Sequence, residues 1–197
     1  MASTPGTLMR AAAIGVAVAL YPLAASAQTA REVRGAQKPT IVLVHGAFAD
    51  GSSWQRVIPI LQRDGYAVIA VQNPLTSLAA DVETTKRVVD AQTGPVVLVG
   101  HSYGGAVITA AAAGSSNVKS LVYIAAFAPV DQATWKTVPS WYLVTQEDQA
   151  IDPELERFYA KRMGAKTTEI KSSHVPFISH PPEVARLIEQ AASAATK

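Results

Sequence analysis

The 197-residue sequence contains no cysteine. That absence excludes a disulfide scaffold, a thiol nucleophile and thiolate metal sites. Charge of either sign is also scarce in excess: 17 Lys+Arg face 15 Asp+Glu, a formal net charge of +2. No basic stripe stands out, so nucleic acid is not an expected partner. The apolar, uncharged run at the N-terminus, Ala11 to Ala25, has 15 residues. A membrane span needs ~20. What the chain does have is apolar residues, 49% of the total, enough for a core. Its length suits one domain, since chains usually divide only beyond ~250–300 residues.

The N-terminus reads as an address. Arg10 precedes the uncharged run, and Ala25-Ser26-Ala27 closes it with a small-x-small cleavage pattern. Residues 1–27 are therefore expected to be a signal peptide, with the mature chain starting at Gln28. Residues 28–37 read as a linker and 38–197 as the folded domain. The expectation is a secreted or periplasmic protein, without membrane attachment once the leader is removed.

From Lys38 onward strands alternate with helices. Thr40–Val44, Tyr66–Val71, Pro95–Val99, Ser120–Phe127, Trp141–Thr145 and Thr167–Lys171 read as strands. The β-branched runs among them are those of strands buried on both faces. Trp54–Arg63, Ser77–Gln92, Gly104–Ala113, Pro153–Met163 and Pro182–Ala195 read as helices, with Ser77 and Asp152 as N-caps. This alternation predicts an α/β fold, an open and mostly parallel sheet with helices on both faces.

Gly100-His101-Ser102-Tyr103-Gly104 matches G-x-S-x-G. The pattern is short, and its place carries the weight: it directly follows a strand and opens a helix, the context of a nucleophile elbow. A serine hydroxyl needs a base, and the base an orienting carboxylate. In elbow-type hydrolases the chain order is Ser, acid, His. Of the two later histidines, His174 lies in a loop just past the last strand. His180 precedes Pro181-Pro182 at a helix entry, a capping or solvated position. Asp148 lies just beyond the end of the strand Trp141–Thr145. Glu147 beside it would point elsewhere, and Asp131 after the preceding strand is a competing acid. His45-Gly46-Ala47-Phe48 ends the first strand, where a backbone N–H for an oxyanion is supplied. The donors would be the amides of Ala47 and Tyr103. Phe48 is placed as a wall of the acyl pocket, and His101 as packed against neighbouring loops.

The segments VLVHGAF with Trp54, VVLVGHSYGG, PSWYLVTQED and SSHVPFISHPPEV resemble the α/β-hydrolase superfamily. Within it they are most similar to the small esterases grouped with plant methylesterases and hydroxynitrile lyases. The resemblance spans residues 38–127 and 136–197. It implies Ser102, Asp148 and His174 at the triad positions and Ala47 and Tyr103 at the oxyanion hole. Lyases of the group carry lysine directly after the histidine. Here that residue is Val175, and Gly46 stands where they have threonine, so an esterase is implied. Members of the group also insert a helical cap where this chain has only residues 128–140. Such a connection spans a parallel crossover, with a turn or two of helix at most. It fits a naturally reduced member and a deletion alike. A shallow, exposed site follows, together with self-association through uncovered surface. The implied function is a serine hydrolase cleaving small or short-acyl carboxylic esters. The alternative is a non-catalytic or impaired hydrolase-fold protein. No metal or organic cofactor is expected.

Overall fold

The computed structural model describes residues 1–2, 38–129 and 133–196. The expected leader and linker of residues 1–37 lie essentially outside the described residues, as does the competing acid Asp131. Six strands form one parallel sheet: β1 (Thr40–Val44), β2 (Val68–Val71), β3 (Val96–Ser102), β4 (Val118–Ala126), β5 (Ser140–Thr145) and β6 (Lys166–Ile170). Their spatial order is β2-β1-β3-β4-β5-β6. The chain runs outward from β1 to β2, then returns to the other side of β1 with β3. Between β1 and β3 the winding therefore reverses, and ligands of open α/β sheets bind outside the carboxyl ends at such a point.

The helices are α1 (Ile58–Arg63), α2 (Leu78–Asp90), α3 (Gly104–Ala111), α4 (Pro153–Met163), α5 (Pro176–Ser179) and α6 (Pro181–Ala194). Alternate strand residues feed opposite faces because side chains along a strand repeat every two residues. Val42, Val44, Leu98, Tyr123 and Tyr142 meet Val89 of α2, Val107 and Ile108 of α3, and Ala160 and Met163 of α4. Ile41, Leu43, Val99, Val122 and Trp141 meet Leu61 of α1 and Val184, Leu187 and Ile188 of α6. The unbroken apolar strands are thus covered on both sides.

Three local departures from the sequence reading have physical causes. Trp54 is not helical with α1; it closes a 3-10 turn, Gly51–Trp54, capped by Asp50. Pro59 sits in the first turn of α1, where its missing N–H costs nothing, and this fixes the start at Ile58. Strand β3 runs on to Ser102, because Gly100, His101 and Ser102 still pair with β4 across a bulge. Finally, the four-residue α5 interrupts what read as loop before α6.

The connection between β4 and β5 holds one 3-10 turn, Ala133–Lys136. Trp135 from this turn is buried against the α3 face of the sheet, and its indole N–H reaches Pro129 O at 3.3 Å. The short connection is therefore anchored by one large apolar side chain. Among the described residues no helix is long and apolar enough to cross a membrane.

Candidate active site

Ser102 ends β3 and Gly104 starts α3, leaving Tyr103 alone to make the turn. The turn puts Ser102 at φ +52°, in the left-handed region that non-glycine residues seldom adopt. Strain of this kind is held only where surrounding structure over-determines it. Here the flanking glycines permit it. A Cβ at Gly100 would lie 2.5 Å from Gly104 O, and one at Gly104 would lie 2.6 Å from Val44 O. The two glycines of the motif are thus required by backbone approach.

Three loops from distant parts of the chain converge on Ser102. His174 Nε2 lies 2.9 Å from Ser102 Oγ. On the other side of the ring, His174 Nδ1 lies 2.7 Å from Asp148 Oδ2. Asp148 is buried and well supplied with donors. Its Oδ1 accepts from the N–H groups of Ala150 at 2.7 Å and Ile151 at 2.9 Å, and its Oδ2 from Thr145 Oγ1 at 3.0 Å. Burial alone would raise its pKa, but the Ile151 N–H, the His174 ring and the Ala150 N–H outweigh this and hold it below the usual value. Asp148 is thus ionised, and it orients His174 with Nδ1 protonated and Nε2 free to accept from Ser102.

The remaining histidines separate clearly. His101 is buried, edge-on to Phe177 and tilted against His174, with ring centroids 4.7 Å away in both cases. Its Nε2–H donates to His174 O at 2.8 Å, so it holds the backbone of the loop carrying His174. Burial, then the neighbouring His174, push its pKa down to about 3. His45, also buried, bonds Gly46 O through Nδ1 at 2.8 Å and accepts from Asn73 N at 3.1 Å. It ties the Gly46–Phe48 loop to the segment after β2. His180 is half-buried, and among the described residues its ring meets Ser179 Oγ alone, at 2.8 Å.

His101 gives a sign to the acid limb of stability. Its folded pKa, about 3, lies below the unfolded 6.5. The contribution of the neutral ring is therefore present above pH 6.5 and lost as pH falls from there. At pH 5 the loss amounts to about 2 kcal/mol. Chemical denaturation between pH 7 and 4.5 should show the wild type losing stability relative to His101→Asn, by about 2 kcal/mol at pH 5. An equal slope in both proteins would mean that His101 is charged in the fold.

Ala47, Phe48, Ser102, Tyr103 and His174 line one cleft of about 590 Å³, completed on the apolar side by Phe127 and Ile178. A second cleft of about 460 Å³ lies beyond Phe48 and is lined by Leu75, Leu78 and Tyr103. Phe48 stands between the two as a ridge rather than as an enclosed wall. It is fully exposed and sits at φ +59°. With only a short connection between β4 and β5, nothing described here covers it.

Several contributors were missed from sequence. Asp81 on α2 is buried, accepting from Tyr103 Oη at 2.8 Å and Leu75 N at 2.9 Å. It fixes the residue that follows Ser102; burial and Asp81 push the Tyr103 hydroxyl up to about 12. Thr145 and Glu156 sit behind Asp148. Of the expected acids, Glu147 points away and pairs with Lys171 at 3.5 Å, while Asp152 caps α4 through Glu154 N. Among the described residues no group of three or more His, Cys, Asp or Glu side chains is arranged for a metal ion.

A sequence-family model described as "Alpha/beta hydrolase family" matches residues 41–134. An α/β hydrolase of Aspergillus novofumigatus is 24% identical over 246 aligned residues, covering 80% of this chain and 98% of that protein. The alignment is longer than this chain itself, so that relative carries insertions absent here. A putative chloroplastic methylesterase of Arabidopsis thaliana is 35% identical over 88 residues, covering 38% of this chain but only 20% of that protein. Among solved structures, polyneuridine aldehyde esterase superposes with a TM-score of 0.69 at 18% identity, covering 78% of this chain and 99% of that one. An extracellular α/β-hydrolase from a Paenibacillus species gives 0.67 at 17% identity, covering 78% and 99%. The chain has the α/β-hydrolase fold. Its sequence relatives, esterases among them, support a hydrolase.

Proposed function

We propose that this hydrolase cleaves small or short-acyl carboxylic esters through an acyl-enzyme on Ser102. The observation that carries the reading is the unbroken chain Ser102 Oγ, His174, Asp148, with contacts of 2.9 and 2.7 Å. His174 Nε2 takes the hydroxyl proton as Ser102 Oγ attacks the ester carbonyl, and Asp148 stabilises the resulting imidazolium. The amides of Ala47 and Tyr103 are assigned to the oxyanion, with the N-terminus of α3 behind them. The imidazolium then protonates the leaving alcohol. Water, activated by the same nitrogen, releases the acid.

The substrate class follows from the cleft. Phe127, Val175, Phe177 and Ile178 offer an apolar wall, and among the described residues no Lys or Arg lines it. A neutral, short acyl group fits such a surface better than an anionic one. Because the site is open, the reading includes weak discrimination and a high KM. Hydrolysis tolerates that exposure, since water is the second substrate. Export by the leader in residues 1–27, and self-association through the uncovered apolar rim, belong to the same proposal.

The test is covalent. Intact mass of the protein after incubation with a fluorophosphonate should show one stoichiometric adduct, absent from Ser102→Ala. Folded protein that takes up no adduct would leave the fold without an activated serine, and the esterase reading would fall.

A further inference from the structure

Behind Asp148 lies a second carboxyl group that the reaction above does not use. Glu156 projects from α4 onto the end of β5 and is fully buried. It has no cationic partner among the described ion pairs. Its Oε2 accepts from Thr145 N at 2.9 Å, and its Oε1 lies 3.0 Å from Thr145 Oγ1. The same Thr145 Oγ1 lies 3.0 Å from Asp148 Oδ2. One hydroxyl thus stands between two carboxyl oxygens.

A proton count decides what this means. A threonine hydroxyl has one proton to donate and lone pairs with which to accept. It can satisfy one of the two carboxyl groups by donation. The other 3.0 Å contact would set lone pair against lone pair unless that carboxyl carries a proton of its own. Asp148 already receives two backbone N–H groups and the His174 ring, all of which favour its anion. Glu156 has a single N–H donor and no exposure to water. The extra proton therefore belongs on Glu156.

We propose that Glu156 is a neutral carboxylic acid at neutral pH and a positioning residue for the hydrolytic site, donating to Thr145 Oγ1, which in turn donates to Asp148 Oδ2. The relay leaves Asp148 as the one negative charge of the cluster and fixes the oxygen that faces His174. Burial, together with the facing Asp148, raises the Glu156 pKa to about 8 against the opposing Thr145 hydrogen bonds. The titratable groups that face it are Asp148, from the loop after β5, and Tyr142, from β5. Arg157 of α4 is engaged at the surface with Glu154 and with Glu169 of β6.

The protonation half of the inference stands apart from the esterase reading; the positioning half rests on it. Two measurements on the full chain read the proton without turnover. Infrared difference spectra at pH 7 should show a protonated-carboxyl C=O band in the wild type that Glu156→Gln removes. The part of the stability that Glu156 contributes should also fall with rising pH between 4.5, where the unfolded side chain ionises, and about 8, where the folded one does. Glu156→Gln, which keeps a donor for Thr145 Oγ1 and an acceptor for its N–H, should abolish that slope. No such band in the wild type, or a Glu156→Gln protein whose stability varies with pH between 4.5 and 8 as the wild type's does, would show an ionised Glu156 and overturn the proposal.

Positioning is read from kinetics. Thr145→Val and Glu156→Leu should each lower kcat about tenfold with KM unchanged, whereas Glu156→Gln keeps kcat within about threefold. Folded Thr145→Val with wild-type kcat would remove the positioning role. A protein with the infrared band but no esterase activity would instead sink the function and leave the buried acid standing.

Discussion

Ser102→Ala should lower kcat for a short-acyl ester by on the order of 10⁵- to 10⁶-fold, with residual turnover set by the oxyanion donors alone. The size follows from what is removed. Without Oγ there is no covalent intermediate, and His174 has nothing to deprotonate except water. The fold should hardly notice. Ser102 is half-buried, and its backbone angle, φ +52°, is imposed by the glycine-flanked turn rather than by its side chain. Alanine suffers no more at that angle than serine does, so unfolding free energy should change by no more than about 1 kcal/mol. A folded Ser102→Ala protein retaining more than about a tenth of wild-type kcat would place the nucleophile elsewhere.

That expectation is sharp because so much of the arrangement was legible before any coordinates. The central strands could be read because they are buried on both faces, leaving unbroken β-branched runs such as Thr40–Val44, whereas the edge strand β6 is exposed from Lys166 to Glu169. The Ser102 turn was legible because two glycines are needed where backbone passes backbone. Chain order then pointed to Asp148 and His174, which the fold brings to Ser102 from 46 and 72 positions away. The rest depended on tertiary contacts that leave faint local traces. Phe48 read as a pocket wall, because apolar side chains near a nucleophile usually face inward. Its exposure goes with the short β4–β5 connection, whose described residues Trp135 and Val138 pack on the sheet and leave Phe48 uncovered. The helix Pro153–Met163 was legible in the sequence, but the role of Glu156 within it was not. A trace was there, since Glu156, Ala160 and Met163 share the buried stripe of α4 at helical spacing. An acid at a stripe position opposite a strand ending in threonine is a signal for a buried, partnered carboxyl group.

Asp148→Asn carries the second largest expected effect, about 10⁴-fold in kcat, although it changes one atom. The wild-type carboxylate accepts four hydrogen bonds, from Ala150 N, Ile151 N, Thr145 Oγ1 and His174 Nδ1. An asparagine offers one acceptor oxygen and one NH₂ group. The two backbone N–H groups cannot turn away, so they claim the oxygen. The NH₂ then faces His174 Nδ1, which must present its lone pair. The histidine proton moves to Nε2, where it points at Ser102 Oγ, and the base is lost. Fluorophosphonate labelling should slow in parallel with kcat, while Asp131→Asn should leave both within about twofold. Full activity in Asp148→Asn with loss in Asp131→Asn would transfer the acid to the earlier loop. The same substitution also reaches Glu156. It deletes the like charge that faces this buried acid, so the infrared titration of its carboxyl should move to lower pH in Asp148→Asn. A lowered Glu156 midpoint beside a silenced Ser102 would tie both carboxyl groups to one electrostatic unit.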